Sequence, residues 1–270
     1  MPPIIVMTFM FRSWWESGEM SHPEMLEGLA KAGAKGVEPF HRDFAEDPQL
    51  LTNYRRWLAD TGMQAPVVDV ICNLVTEDAE QKRQAIDEMK RGLEICKGLG
   101  ASIAHVAGNR LRDGISPEDG RKMIADGMLE VSSLADSYGL ILAIEDFDPA
   151  PTLVCSARDC IEIMQLTGDR VKFVFDTGNF IAAGETADEV FPLFAGRICH
   201  FHFKDFIVED GKLRRCKLGD GVIPNAAIAA EIGSMDYDGW VALETMQRDD
   251  VHPIEAVRTE LPLLRSWLDA

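Results

Sequence analysis

The sequence predicts an α/β chain closed as a (β/α)8, or TIM, barrel, with residues 1–270 as one domain. Three observations carry this. Eight short β-type runs recur at roughly even spacing, and segments of helical periodicity lie between them. No G-x-G-x-x-G follows the first run, which argues against an open, dinucleotide-binding sheet.

The runs are IIVMTF (4–9), GVEPF (36–40), APVVDV (65–70), ASIAHVAG (101–108), LILAIEDF (140–147), VKFVFDTGN (171–179), RICHFHFKD (197–205) and GWVALET (239–245). Among the helical segments, 21–33 opens on a capping serine, carries proline early and ends on glycine. Segment 80–100 repeats apolar residues at Ile86, Met89, Leu93 and Cys96. Segment 116–139 starts with Ser-Pro, 253–270 closes the chain, and 223–232 is the weakest helical pattern.

Composition narrows the function classes. The chain is 46% hydrophobic and 27% charged, as soluble enzymes are, and no apolar run is long enough to span a bilayer. The apolar N-terminus lacks a basic region and a cleavage site, so it is expected to be a strand rather than a signal peptide. A net charge of −18 repels phosphate backbones, so no nucleic acid is expected as partner. Six cysteines without a CxxC pair read as free thiols in a reducing cytoplasm.

A barrel's site lies at the C-terminal ends of its strands, and side chains alternate between the two faces of a strand. Alternation groups Ala143, Glu145 and Phe147; Val174 and Asp176; His200, His202 and Lys204; Ala242 and Glu244. Four successive strands therefore end on Glu145, Asp176, His202 and Glu244, facing inward. Three carboxylates in a partly dry mouth repel one another, which a divalent cation relieves. Three oxygen donors and one imidazole suit Mn, Mg, Co or Zn. The alternative is a solvated ring of acids that binds a sugar without metal.

The order E…D-T-G-N…H-x-H-x-K-D…G-D-G…E-T resembles the xylose isomerase-like barrel superfamily, from the G-V-E of the second run to the E-T of the eighth. The inosose isomerase and dehydratase branch and the ketose 3-epimerase branch are the most similar. The resemblance implies that Glu145, Asp176, His202 and Glu244 bind one divalent metal. It implies an isomerase or epimerase of a small sugar or cyclitol ketone, working by proton abstraction through an enediolate. A dehydratase or lyase on a keto-sugar would use the same abstraction. Relatives often assemble as dimers or tetramers, so a homo-oligomer is expected. Two positions depart from the ketose epimerases: Asn179 stands where they carry histidine, and Pro151 where they carry a second glutamate. Both positions contact substrate in that branch.

In this reading Glu145 and Glu244 exchange the substrate proton, one at each face. His200, deeper by one inward position, supports the site. Lys204 either holds a substrate oxygen or pairs with a neighbouring acid, and a Schiff base at Lys204 or Lys172 suits a carboxylate–metal centre poorly. His105 contacts substrate or packs. Glu38 and Asp69 contact substrate or serve structural roles. Arg215 is the candidate for the substrate-binding arginine of the epimerase branch, with Arg214 beside it. Trp14 and Trp15 either wall the site or pack a subunit contact. Two other readings remain: a metal-dependent AP endonuclease, which needs more ligands and a basic groove, and a non-catalytic sugar-binding barrel.

Overall fold

The computed structural model describes residues 1–45, 47–147, 152–245 and 251–270; Pro151 lies outside them. Each of the eight runs contains a strand of one parallel sheet. These are β1 (Ile4–Met7), β2 (Gly36–Glu38), β3 (Val67–Ile71), β4 (Ile103–Ala107), β5 (Ile141–Glu145), β6 (Val171–Asp176), β7 (Ile198–Phe203) and β10 (Trp240–Leu243). The order is β2-β1-β10-β7-β6-β5-β4-β3. Its two ends meet: Val37 N–H donates to Gln64 O (2.8 Å), His41 N–H to Asp69 O (2.9 Å) and Asp69 N–H to Pro39 O (3.0 Å). The sheet is thereby a nearly closed TIM barrel flanked by helices.

The helical periodicities correspond to helices His22–Ala32, Ala79–Leu99, Pro117–Tyr138, Asn225–Ser234 and Pro253–Leu268. Ser21, Asp78 and Ser116 each cap their helix by accepting a backbone N–H. Pattern reasoning leaves unmarked the helices Pro48–Thr61 and Ala157–Thr167 and an antiparallel hairpin, β8 (Asp205–Glu209) with β9 (Lys212–Cys216). The run RICHFHFKD does not end as one strand: β7 stops at Phe203, and Asp205 begins the hairpin. Likewise VKFVFDTGN leaves the sheet after Asp176.

Two apolar layers hold the frame. Inside the barrel, Ile5, Met7, Val67, Ile103, Ala143, Val174 and Ala242 pack together. Outside it, Phe173 stacks on Phe194 at 4.2 Å, and Phe175 meets Phe180, Phe191 and Phe201 beneath the helices. From Ile198 to His200, β7 advances two residues against one step of β6, Phe173 to Val174. This bulge sets His200 and His202 level with Val174 and Asp176, all pointing inward.

Candidate metal centre

Above the inner apolar layer lies a buried polar one. His202, at the end of β7, is fully buried. Its Nδ1 lies 2.6 Å from Glu145 Oε1 and its Nε2 lies 3.1 Å from Glu38 Oε1. Asp176 Oδ1 accepts the N–H groups of Gly178 (2.7 Å) and Asn179 (3.0 Å). That leaves Oδ2 toward His202 Nδ1, 3.8 Å away. Ligand atoms of Glu145, Asp176 and His202 all lie within 4.8 Å of one another, and so do those of Glu38, His105 and His202.

Glu244 stands outside both groups. It pairs with Arg215 on the hairpin, and Lys204 Nζ bridges it (3.2 Å) to Asp176 Oδ2 (3.1 Å). Lys204 is buried; burial works against its charge, but Asp176 and Glu244 outweigh it and hold the ammonium protonated. Of the two roles left open for Lys204, the ion pair is present.

The other predicted residues fall into two sets. His105, Lys204, Arg215, Glu145 and Glu244 line one cavity of about 460 Å³ at the C-terminal mouth of the barrel. Glu38 and Asn179 are fully buried and do not line it. Glu38 ties His202 to His200 (Nε2 to Oε2, 2.9 Å), and the other nitrogen of His200 faces the Trp240 carbonyl at 2.8 Å. Asn179 Nδ2 donates to the Asp146 carbonyl. Trp15 is not brought to the cavity. It stacks on His22 at 4.7 Å and lines a separate surface depression with Trp57, because the short helix Arg12–Ser17 turns it outward.

Sequence reasoning missed Asp146. Its parity is outward, yet its Oδ1 accepts the Asp176 N–H at 3.1 Å. An acid inside an otherwise apolar strand end was the available signal. It also missed Phe9, Phe40, Arg42, Asn73 and Arg110, which line the cavity from loops whose reach no periodicity encodes.

The electrostatics fit a cation. Burial, then the Glu38 charge, pushes Asp69 up to about 8, although His105 works the other way at 2.5 Å. Burial raises Asp176 to about 7, with Lys204 opposing and the Glu244 and Glu145 charges adding to the rise. Burial and the charges of Asp176 and Glu145 raise Asp146 well above the carboxylate range. Glu145 is held low: burial works against its charge, but His202 and His105 outweigh it. Carboxylates so crowded that they retain protons near neutrality are a donor set for a divalent ion, and the carboxylate–imidazole mix is one that first-row metals accept.

An inosose dehydratase of Clostridium perfringens is 24% identical over 266 residues, covering 88% of this chain and 86% of that protein. An inosose isomerase of Bacillus velezensis is 26% identical over 185 residues, covering 68% and 63%. The solved structure of IOLI protein with a bound zinc atom superposes with a TM-score of 0.81 at 22% identity, covering 99% of this chain and 98% of that one, a likeness of fold. Residues 26–267 match the family model described as xylose isomerase-like TIM barrel, and the chain belongs to that family.

Proposed function

We propose that this protein is a divalent-metal-dependent isomerase or epimerase that moves a proton next to the ketone of a small sugar or cyclitol. One observation carries the reading: ligand atoms of Glu145, Asp176 and His202 converge within 4.8 Å, and of these Glu145 lines a cavity whose wall also holds Glu244, while Asp176 and His202 are fully buried. These four residues would hold one Mn, Mg, Co or Zn ion, Glu244 by leaving Lys204 and Arg215. The zinc in the IOLI structure supports a metal of this kind. When bound, such an ion supplies Lewis acidity toward the substrate oxygens.

The chain's own groups supply the rest. Glu145 and Glu244 reach the cavity from β5 and from the end of β10, so the substrate ring would sit between two proton carriers. Burial works against the Glu244 charge, but Arg215 and Lys204 outweigh it and hold the carboxyl at about 2. While so paired it is charged but a weak base; leaving Arg215 and Lys204 would raise its basicity toward what proton transfer needs. The Lys204 ammonium would hold negative charge that develops on a substrate oxygen as the C–H bond breaks. His105, aligned by Asp69, would hydrogen-bond a substrate hydroxyl. Met7, Phe9, Phe40, Ile71 and Phe147 form the apolar side of the cavity and limit water.

The name of the Clostridium relative favours a second outcome of the same abstraction, loss of a β-hydroxyl as in a dehydratase. Metal-loaded protein in D2O, followed by NMR with inososes, ketohexoses and pentuloses, separates these outcomes. Deuterium entering beside the carbonyl with carbon skeleton and hydroxyls intact marks the isomerase or epimerase. Deuterium with loss of water marks the dehydratase. A panel without exchange on metal-loaded protein overturns the proposal.

A further inference from the structure

Two arginines enter the cavity from the part of the rim that the metal cluster does not use. Glu145, Lys204 and Glu244 come from the ends of β5, β7 and β10, whereas Arg42, Asn73 and Arg110 follow β2, β3 and β4. Arg110 makes no ion pair among the described residues. Arg42 lies 3.7 Å from Glu88, a carboxylate already taken by His41 and Arg91. In a chain of net charge −18, an arginine without an ion pair and a second one sharing its carboxylate, both facing a cavity, stand out.

The loop that carries Arg110 is built in place. Asn73 Oδ1 accepts the N–H of Arg110 (3.2 Å) and of Val75 (3.1 Å), and Asn73 Nδ2 donates to the Arg110 carbonyl (3.1 Å). Asn109 Oδ1 accepts the Leu74 N–H at 2.9 Å. Gly108 turns the chain with φ +87°, and a Cβ there would come within 2.8 Å of Ile71 Cγ2. The backbone of Arg110 is thus fixed by side chains of two loops. An adjoining surface depression, sharing Arg42, Cys72 and Asn73 with the cavity, also holds Arg112, Arg91 and the Glu88 with which Arg91 and Arg42 pair.

The cavity volume of about 460 Å³ lies in the range of drug-sized ligands, about 300–1,000 Å³. It leaves room beyond a single six-membered ring.

We propose that the substrate carries an oxyanion, a carboxylate or a phosphate ester, remote from its reacting ketone, and that Arg110 with Arg42 binds it. This rests on the ketone chemistry proposed above for the acidic side of the cavity. Guanidinium binds either oxyanion through paired, charge-assisted hydrogen bonds.

The test uses three compounds that differ only at C6: D-fructose, D-fructuronate and D-fructose 6-phosphate. Their dissociation constants with metal-loaded protein are measured by titration calorimetry, and their proton exchange in D2O by NMR. At least one of the two anions binds about 10-fold or more tightly than D-fructose, and the better of the two identifies carboxylate or phosphate. Arg110→Gln and Arg42→Gln each shrink that ratio toward one; both positions are exposed, so folding is kept. Equal affinities for the three compounds, or a ratio that survives Arg110→Gln, overturn the inference. Anion preference without exchange leaves the oxyanion site standing and counts against the isomerase. Exchange without anion preference does the reverse.

Discussion

The Asp205 carboxylate and the Gly221 backbone amide meet at 3.1 Å, with no room for a side chain between them: a Cβ on Gly221 would lie 2.0 Å from Asp205 Oδ1. Asp205 is 2% exposed and also accepts the N–H groups of Phe206 (2.9 Å), Gly219 (2.9 Å) and Ile223 (3.2 Å). The K-D…G-D-G pattern is therefore one knot, a buried anion gathering four amides. It anchors the β8–β9 hairpin, on which Arg215 reaches Glu244.

Removing the anchor leaves four amides without this acceptor, that of Phe206 buried and the other three partly so. Asp205→Ala is expected to cost roughly 3 kcal/mol of unfolding free energy. It is also expected to raise KM, because Arg215 loses its fixed base. Urea unfolding and steady-state kinetics of the variant check both; an unchanged midpoint with unchanged KM would remove Asp205 from this role.

Glu145→Gln and Glu244→Gln keep the shape of each side chain and remove its ability to carry a proton. Each is expected to lower kcat by about 10²–10⁴. Glu145→Gln also weakens metal retention, since it removes an anionic donor from the group with Asp176 and His202. Metal content by elemental analysis, alongside the D2O exchange rate, reads the two effects separately. Chelation of wild-type protein should abolish exchange and lower the melting temperature, and saturating metal at about 100 times its Kd should restore about 2.7 kcal/mol. Near wild-type exchange in both variants would sink the two-carboxylate scheme.

Period-two alternation was enough to turn His105, Glu145, Asp176, His202 and Glu244 inward, because a parallel strand has no freedom to swap faces; it was not applied to Glu38 and Asp69, which the structure also buries. It could not say which partner each side chain chooses. Glu244 pairs with Arg215, and that arginine arrives on a hairpin inserted after β7. Asp146 points outward by count, but it sits at a strand end, where the chain leaves the sheet and its carboxylate can reach the Asp176 amide. Such choices are set by chain segments far apart in sequence, which local patterns do not encode.

Trp15 illustrates the same limit and carries a prediction. Its place after the first strand puts it near the barrel mouth in sequence. The Arg12–Ser17 helix, ended by Gly18 in the left-handed conformation (φ 78°), carries it onto His22 instead. Trp15→Ala is expected to lower stability by about 1–2 kcal/mol, as loss of a half-buried aromatic contact does. It should leave KM for the exchanged ketone within about twofold, as surface changes away from a site do. A KM change much larger than the stability loss would return Trp15 to the substrate.

His41 supplies a pH test away from the cluster. It is buried; its Nδ1 accepts the Ile71 N–H at 3.1 Å, so its Nε2–H donates to Glu88 Oε1 at 2.8 Å. A second proton would break the bond to Ile71. Burial lowers its pKa below 6.5, and Glu88 only partly opposes this. With the folded pKa depressed, the unfolded chain binds the extra proton first as pH falls below 6.5. The stability His41 contributes is therefore present above 6.5 and is lost as pH falls toward its folded pKa. Asp69 and Asp176, raised to about 8 and about 7, change in the opposite sense over an overlapping range, so total stability is a poor readout. The difference between wild type and His41→Gln isolates the histidine: the gap in unfolding free energy should be larger at pH 7.5 than at pH 5. A gap that stays constant or widens on acidification would mean that His41 is charged in the folded chain, with Glu88 prevailing over burial.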